Sequence, residues 1–349
     1  MKVLQLNTEK GWRGGERQTL LTSIGLKNLG HQVGLLCLED LPVARNARAH
    51  IENVLEVKNQ AECTKRLVSL AKYYDVIHAQ SSRAFGCAAL SSFLHETPVI
   101  YTRRVDFVPR GSLTRLKYSR ASAVAAISPA IQRILLRFGL KNVPVISSIV
   151  REVRPDVSRA KAVLSDKGIP ANKRVIGVVG ALVGHKDPLT MIRAAGELKS
   201  MGDDFVVVHF GDGPLKNEAA ELIKALNLKK EYRMMGYMKN VEDFFSCFDV
   251  FAMSSNEEGL GSSVLDAFYN RVPVASTSAG GLKELVQGRG GLCRPEDPKA
   301  LAENINYLLN NPEKASVFAS KAYEYVISNH SMPSIAQAYS DLYEKVVGT

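Results

Sequence analysis

Four short segments of this chain hold residue types and spacings suited to an anion or a sugar. In the run Ser254-Ser255-Asn256-Glu257-Glu258-Gly259-Leu260-Gly261-Ser262, a glycine-rich turn leads straight into an apolar helical stretch that carries Asp266. Backbone N–H groups exposed by glycine can meet phosphate or sugar oxygens. Carboxylates such as Glu258 and Asp266 accept hydrogen bonds from neighbouring sugar hydroxyls. Eight residues separate the two, a little over two helical turns, so they share a face only approximately. A carboxylate at position 258 would equally serve a helix N-terminus. In Gly180-Ala181-Leu182-Val183-Gly184-His185-Lys186-Asp187-Pro188, a lysine stands just ahead of a proline that starts a helix. Lys186 there can neutralise a diphosphate, or it can simply be solvated. Phe210-Gly211-Asp212-Gly213-Pro214 is a tight turn that either lines a nucleotide site or only turns the chain. Gly11-Trp12-Arg13-Gly14-Gly15-Glu16 offers a backbone anion site or, again, a turn. It is not the Gly-x-Gly-x-x-Gly dinucleotide fingerprint, which disfavours a nicotinamide dehydrogenase.

Each segment follows an apolar run and opens a helix. The runs include Val3–Leu6, Val33–Leu38, Asp75–Ala79, Val99–Thr102 and Ala123–Ile127 in the first half, and residues 174–180, Phe205–Phe210, Tyr232–Met235, Asp249–Met253 and Pro273–Ser276 in the second. Amphipathic stretches alternate with them. That rhythm predicts β-α-β units, parallel sheets and right-handed crossovers. A chain of 349 residues suits two such domains. Residues 151–173 break the rhythm with charge, Pro155 and Pro170. The expected division is a first domain at 1–155, a linker at 156–173, a second domain at 174–328, and a C-terminal helix at 329–349 returning to the first domain. Ligands are expected beyond the carboxyl ends of the strands.

Charge is unevenly spread. The net charge is +10. Up to Ala171 there are 26 basic against 13 acidic residues, which leaves 19 against 22 for the rest. Between Arg103 and Arg120 lie Arg103, Arg104, Arg110, Arg115, Lys117 and Arg120 against Asp106 alone, with Leu113, Leu116 and Tyr118 interleaved. Such a segment suits an anionic acceptor or an anionic membrane surface, or is a solvated basic face. No recognisable aromatic stacking module accompanies it, so no nucleic-acid partner is expected. The five cysteines are scattered, without metal-ligand spacing, and read as free thiols in a reducing compartment. No run approaches the ~20 apolar residues of a membrane span. The first residues are too soon polar for a signal peptide, so a cytoplasmic protein in peripheral contact with the membrane's inner face is expected.

Taken in order, the motifs resemble those of the retaining glycosyltransferases of family 4, which have the GT-B fold. The resemblance covers nearly the whole chain and is strongest from Val175 to Pro295. It rests on Gly14-Gly15-Glu16, Asp75-Val76-Ile77-His78, Ala126-Ile127-Ser128, the Gly180 to Lys186 turn, Gly211-Asp212-Gly213-Pro214, Glu258-Gly259-Leu260-Gly261, Gly280-Gly281-Leu282-Lys283-Glu284, and the Gly-Gly-Leu to Asp-Pro run at 290–298. Two positions depart from the family: Ala181 stands where an arginine is usual, and Asp266 where a second glutamate is usual. His185, Arg103 and Arg104 are the candidates to replace the missing charge.

The resemblance implies an α/β protein of two Rossmann-like, doubly wound domains facing across a cleft. It implies metal-independent, anomer-retaining transfer of a hexose-type sugar from a nucleotide-diphosphate donor, UDP-linked, with no resident cofactor. Lys186, Glu258 and His78 would be catalytic. Gly14, Gly15, Gly211, Gly213, Tyr237, Gly259, Leu260, Gly261 and Asp266 would bind the donor. Glu16, Arg103, Arg104 and Ser128 would meet an acceptor that is a lipid-linked glycan or lipopolysaccharide core. For His78 a satisfied strand-end histidine is the alternative. For the whole chain the alternatives are a nucleotide-sugar epimerase of the same fold and a non-catalytic nucleotide-sugar or glycan binder.

Overall fold

Continuous apolar strands are what a parallel sheet covered on both faces requires, and both halves of the chain are built on one. The computed structural model describes residues 1–348. It divides into two units: Met1–Arg151 with the C-terminal segment from Asn329, and Glu152–Ser328.

In the first unit, strands β1 (Lys2–Asn7), β2 (Gln32–Leu38), β3 (Asn53–Val57), β4 (Val76–Ala79), β5 (Val99–Arg103) and β6 (Ala123–Ala126) form a six-stranded sheet in the order β3-β2-β1-β4-β5-β6. Every pairing is parallel. The crossovers hold helices α1 (Gly14–Asn28), α2 (Pro42–Ala47), α3 (Gln60–Leu70), α4 (Ser82–Ser91) and α5 (Ser112–Ser119), and α6 (Pro129–Phe138) follows β6. The sheet reverses its order of growth between β1 and β4, so the loops after those strands flank its switch point.

The second unit repeats the plan. It contains α7 (Val157–Asp166), β7 (Arg174–Val179), α8 (Pro188–Ser200), β8 (Phe205–Phe210), α9 (Lys216–Ala225), β9 (Tyr232–Gly236), β10 (Val250–Met253), α10 (Ser262–Tyr269), β11 (Val274–Thr277), α11 (Leu282–Val286), β12 (Gly291–Cys293), α12 (Pro298–Asn310) and most of α13 (Pro312–His330). Its sheet order is β12-β11-β10-β7-β8-β9, with the switch point between β7 and β10. Helix starts follow local chemistry. Asp187 accepts from the Thr190 amide ahead of Pro188, and Asp297 accepts from the Ala300 amide ahead of Pro298.

Residues 156–173, expected to link the domains, instead include α7 as part of the second unit. Asp156 caps it through the Arg159 amide at 2.9 Å. Arg159 pairs with Asp243, and Ala160 and Leu164 are buried. Of the helix's other charges, Lys161 and Asp166 are exposed.

The chain's last helix, α14 (Met332–Val347), packs along α1 in the first unit. Its Ile335, Tyr339 and Tyr343 are buried with Val3, Val76, Ile100 and Ala125. Both tyrosines are fully buried and place their hydroxyls on polar partners, as buried phenols require. Removing so large a buried side chain costs about 3–5 kcal/mol. Tyr339→Ala is therefore expected to destabilise the first unit by that amount. Trp12, the chain's single tryptophan, lies in this unit, so its fluorescence during urea unfolding reads the effect. A variant within 1 kcal/mol of wild type, on the order of an ordinary surface change, would show that α14 is dispensable.

Candidate active site

At the switch point of the second sheet, the loops after β7 and β10 are joined main chain to main chain. The amides of Asn256 and Glu257 both donate to the His185 carbonyl, at 2.9 and 3.2 Å. The Ser254 hydroxyl donates to the carbonyls of Asp187 at 2.8 Å and Lys186 at 3.2 Å. These bonds set Lys186 on one loop beside Glu258 on the other, and the two side chains form an ion pair. Their side chains are 23% and 15% exposed, so the pair lies at the surface of the site, within reach of a ligand. A third loop closes on the second: the Gly281 amide donates to the Glu258 carbonyl at 2.8 Å, and a Cβ at 281 would lie 2.4 Å from the Gly259 carbonyl oxygen. The sequence gives no hint of Ser254 or Thr277 as supports, yet the Thr277 hydroxyl holds the Ser255 carbonyl at 2.6 Å. Their signal is only a hydroxyl at each strand's carboxyl end.

Gly211 and Gly213 turn out to be required by packing. A Cβ at 211 would sit 1.9 Å from the Gly180 carbonyl oxygen, and one at 213 would sit 2.4 Å from that of Leu182. Gly211 also has φ +155°. The turn therefore presses on the lysine loop and holds it, with Leu182 donating to Asp212 at 3.2 Å and accepting from Leu215 at 3.0 Å. Beneath it His209 is buried, bonded through Nδ1 to Tyr232 at 2.7 Å and through Nε2 to the Gly180 carbonyl at 3.1 Å. Burial pushes its pKa down to about 4. Gly261 takes φ +97° at the start of α10, Leu260 is buried, and Asp266 is buried in the second turn of that helix. Tyr237 stands exposed just past β9.

The first unit treats its expected residues differently. His78 lies in the sheet. It lies within β4, not at its tip, and is fully buried. Nδ1 meets the Tyr343 hydroxyl at 2.6 Å and Nε2 the Thr102 hydroxyl at 2.8 Å. Burial, and secondarily the Arg104 charge, lowers its pKa to about 3. Both ring nitrogens are bonded inside the unit, the arrangement of a satisfied histidine. Ser128 is buried and caps α6 through the Ile131 amide at 3.3 Å. Glu16 is buried in a capping interaction with the Arg13 amide at 2.7 Å, and burial raises its pKa. Arg103 is 3% exposed and bonds the Tyr118 hydroxyl and the Phe107 carbonyl. Ser128 and Glu16 thus serve the unit's own helix ends, and Arg103 is held by Tyr118 and Phe107 with its Nε left without a partner. Arg104 stays at the switch point, its Cδ 3.8 Å from where a Cβ on Gly15 would be. It donates to Gln80 at 2.6 Å and Ser148 at 3.4 Å, and burial lowers its pKa. Gln80, missed in the sequence, follows β4 directly. Gly14 opens α1 beside Gly15.

Two family models match this chain: Glycosyltransferase Family 4 over residues 12–151 and Glycosyl transferases group 1 over residues 161–325. The chain belongs to glycosyltransferase family 4. A Bacillus subtilis protein named for teichuronic acid biosynthesis, TuaC, is 27% identical over 79% of this glycosyltransferase and 72% of its own length. The lipopolysaccharide core biosynthesis glycosyltransferase LpsE of Rhizobium meliloti is 27% identical over 66% of each chain. Among solved structures, Anabaena HepE in complex with UDP-glucose superposes with a TM-score of 0.85 at 22% identity, covering 99% of this chain and 100% of that one. The likeness carries the fold, which is GT-B.

Buried His78 makes the stability of this glycosyltransferase depend on pH. Unfolded, His78 titrates near pH 6.5; folded, near 3. Between those values the unfolded chain binds a proton that the folded chain does not, so stability falls as pH drops from about 6.5 towards 3, by up to about 1.4 kcal/mol per pH unit. In His78→Asn, followed by Trp12 fluorescence, the slope between pH 6 and 4 is expected to become shallower by up to that amount. An unchanged slope would mean that the folded protein protonates His78 freely.

Proposed function

We propose that this glycosyltransferase moves a hexose from a UDP-linked donor to an anionic, lipid-linked glycan or lipopolysaccharide-core acceptor, retaining the anomeric configuration and using no metal ion. The observation that carries the reading is the Lys186–Glu258 pair at the second sheet's switch point, where doubly wound sheets bind their ligands. In the free protein the two charges neutralise each other. A nucleotide sugar offers each a better partner: the diphosphate takes Lys186 and the sugar hydroxyls take Glu258.

On this reading Lys186, the amides of Gly259 to Gly261 and the N-terminus of α10 stabilise charge growing on the leaving diphosphate, without a cation. Asp266 accepts from the ribose hydroxyls. Exposed Tyr237 covers the base. The bond from the anomeric carbon to the diphosphate oxygen breaks, a bond to the acceptor oxygen forms on the same face, and the acceptor's proton passes to the departing diphosphate. In the first unit, Arg104 is the acceptor-binding residue. Support for a UDP donor comes from the HepE complex with UDP-glucose. Support for an envelope acceptor comes from the names of LpsE and TuaC and from the basic segment between Arg103 and Arg120. No described helix is long and apolar enough to cross a membrane.

Thermal-shift screening against nucleoside-diphosphate sugars is expected to give its largest stabilisation with a UDP-hexose. Release of UDP should survive excess EDTA, and the product's anomeric configuration by NMR should match the donor's. Lys186→Ala is expected to lower kcat/KM by about 10²-fold or more, on the scale of a lost transition-state charge partner. No shift with any donor, or full activity in Lys186→Ala, would overturn the reading. Loss of activity in EDTA would overturn metal independence alone.

A further inference from the structure

The first unit exposes an unusual amount of large apolar surface in one region. Phe107, Val108, Leu113 and Leu116, on α5 and the loop before it, and Leu90, Phe93 and Leu94, at the end of α4, are each between 51% and 82% exposed. Leu113 and Leu116 lie three residues apart, on one face of α5. Arg120 joins the two helices: its guanidinium lies 4.4 Å over the Phe93 ring and donates to the Ser92 carbonyl at 2.6 Å. Contiguous exposed apolar surface on a soluble unit marks an interaction site.

Beside this surface is a cavity of about 240 Å³ lined by Ser82, Arg103, Phe107, Arg110, Lys117 and Tyr118. Arg103 is only 3% exposed, and its Nε has no hydrogen-bond partner. A buried N–H left unmet costs free energy and points to an absent acceptor. Lys117, held by the Ser82 carbonyl at 2.6 Å, is partly desolvated, which lowers its pKa to about 8. Three cations around one small cavity suit a phosphate. The apolar rim suits the acyl boundary that lies beside every headgroup phosphate in a bilayer.

We propose that this surface docks the protein on an anionic lipid leaflet, with a headgroup phosphate entering the cavity of Arg103, Arg110 and Lys117 and the rim of Phe107, Val108, Leu113 and Leu116 resting among the acyl chains. The proposal rests on the lipid-linked acceptor reading and adds where the enzyme meets the lipid. Charge and apolar surface act together: each basic side chain near an anionic surface strengthens binding about fivefold, and each buried apolar side chain adds to it.

The test is co-sedimentation of the intact chain with vesicles of phosphatidylcholine alone or with added phosphatidylglycerol. Binding is expected to be at least about tenfold tighter with phosphatidylglycerol and to weaken with salt. The double variant Leu113→Ser, Leu116→Ser should lose about tenfold or more, and Arg110→Gln about fivefold. Both should keep the donor-induced thermal shift, so failure here is distinguishable from failure of the transferase reading. Equal binding to both vesicles, or an unaffected double variant, would overturn the proposal. So would competition by inorganic phosphate alone, which would mark a free-phosphate site. If the double variant instead splits a dimer in sedimentation velocity and no vesicle binding is seen, the surface belongs to a second copy and the proposal fails.

Discussion

One pair of opposite charges, Lys186 and Glu258, organises the second unit's site. The two come from loops more than sixty residues apart in sequence, and the reversal of sheet order between β7 and β10 makes those loops neighbours. The pair is largely withdrawn from water, where each charge depends on its partner far more than at an open surface. Holding it takes backbone bonds from Asn256 and Glu257 to the His185 carbonyl and glycines at 211, 213 and 281 that let main chains meet. A side chain at any of these glycines would push the charged residues apart before it touched a ligand.

The first unit meets the same demand at its own switch point with neutral groups. Gln5, His78, Gln80, Thr102, Tyr339 and Tyr343 share hydrogen bonds around the centre of the sheet. Their network ends on Arg104, which Gln80 orients. A buried polar network of this kind is stabilising only when every member is satisfied. That is why a histidine with its pKa depressed and two buried phenols occur together here, on strands and a helix far apart in the chain.

Much of this was legible in the residues. Alternating apolar and amphipathic stretches announced two parallel-sheet units, and loop composition located the pair that meets at β7 and β10. What the residues did not show has physical causes. His78 occupies the last-but-one position of a four-residue strand, and sequence does not say whether the strand's final residue carries the chain past the sheet edge. Glu16 and Ser128 are residue types that bind ligands and cap helices equally well, and here they cap. At 156–173, charge and Pro170, with Pro155 just ahead, outweighed the Asp156 cap and the Ala160–Leu164 spacing, which are the helix signals. Gln80 and Ser148 were invisible because their importance lies in a partner, Arg104, that only the fold brings near. The outward-facing leucines of α5 were likewise unreadable as a surface, since periodicity reports which residues share a face but not whether anything covers it.

The return of α14 to the first unit also shapes biosynthesis. Domains usually fold in the order in which they leave the ribosome, at about 5–20 residues per second. Here the unit translated first lacks Ile335, Tyr339 and Tyr343 until all of Glu152–Ser328 has been made. The nascent N-terminal sheet must therefore wait with one flank of its core and the hydroxyl partners of His78 missing, while the later unit has every strand it needs as soon as it emerges. Of the two units, the one made earlier is the one whose core is completed later.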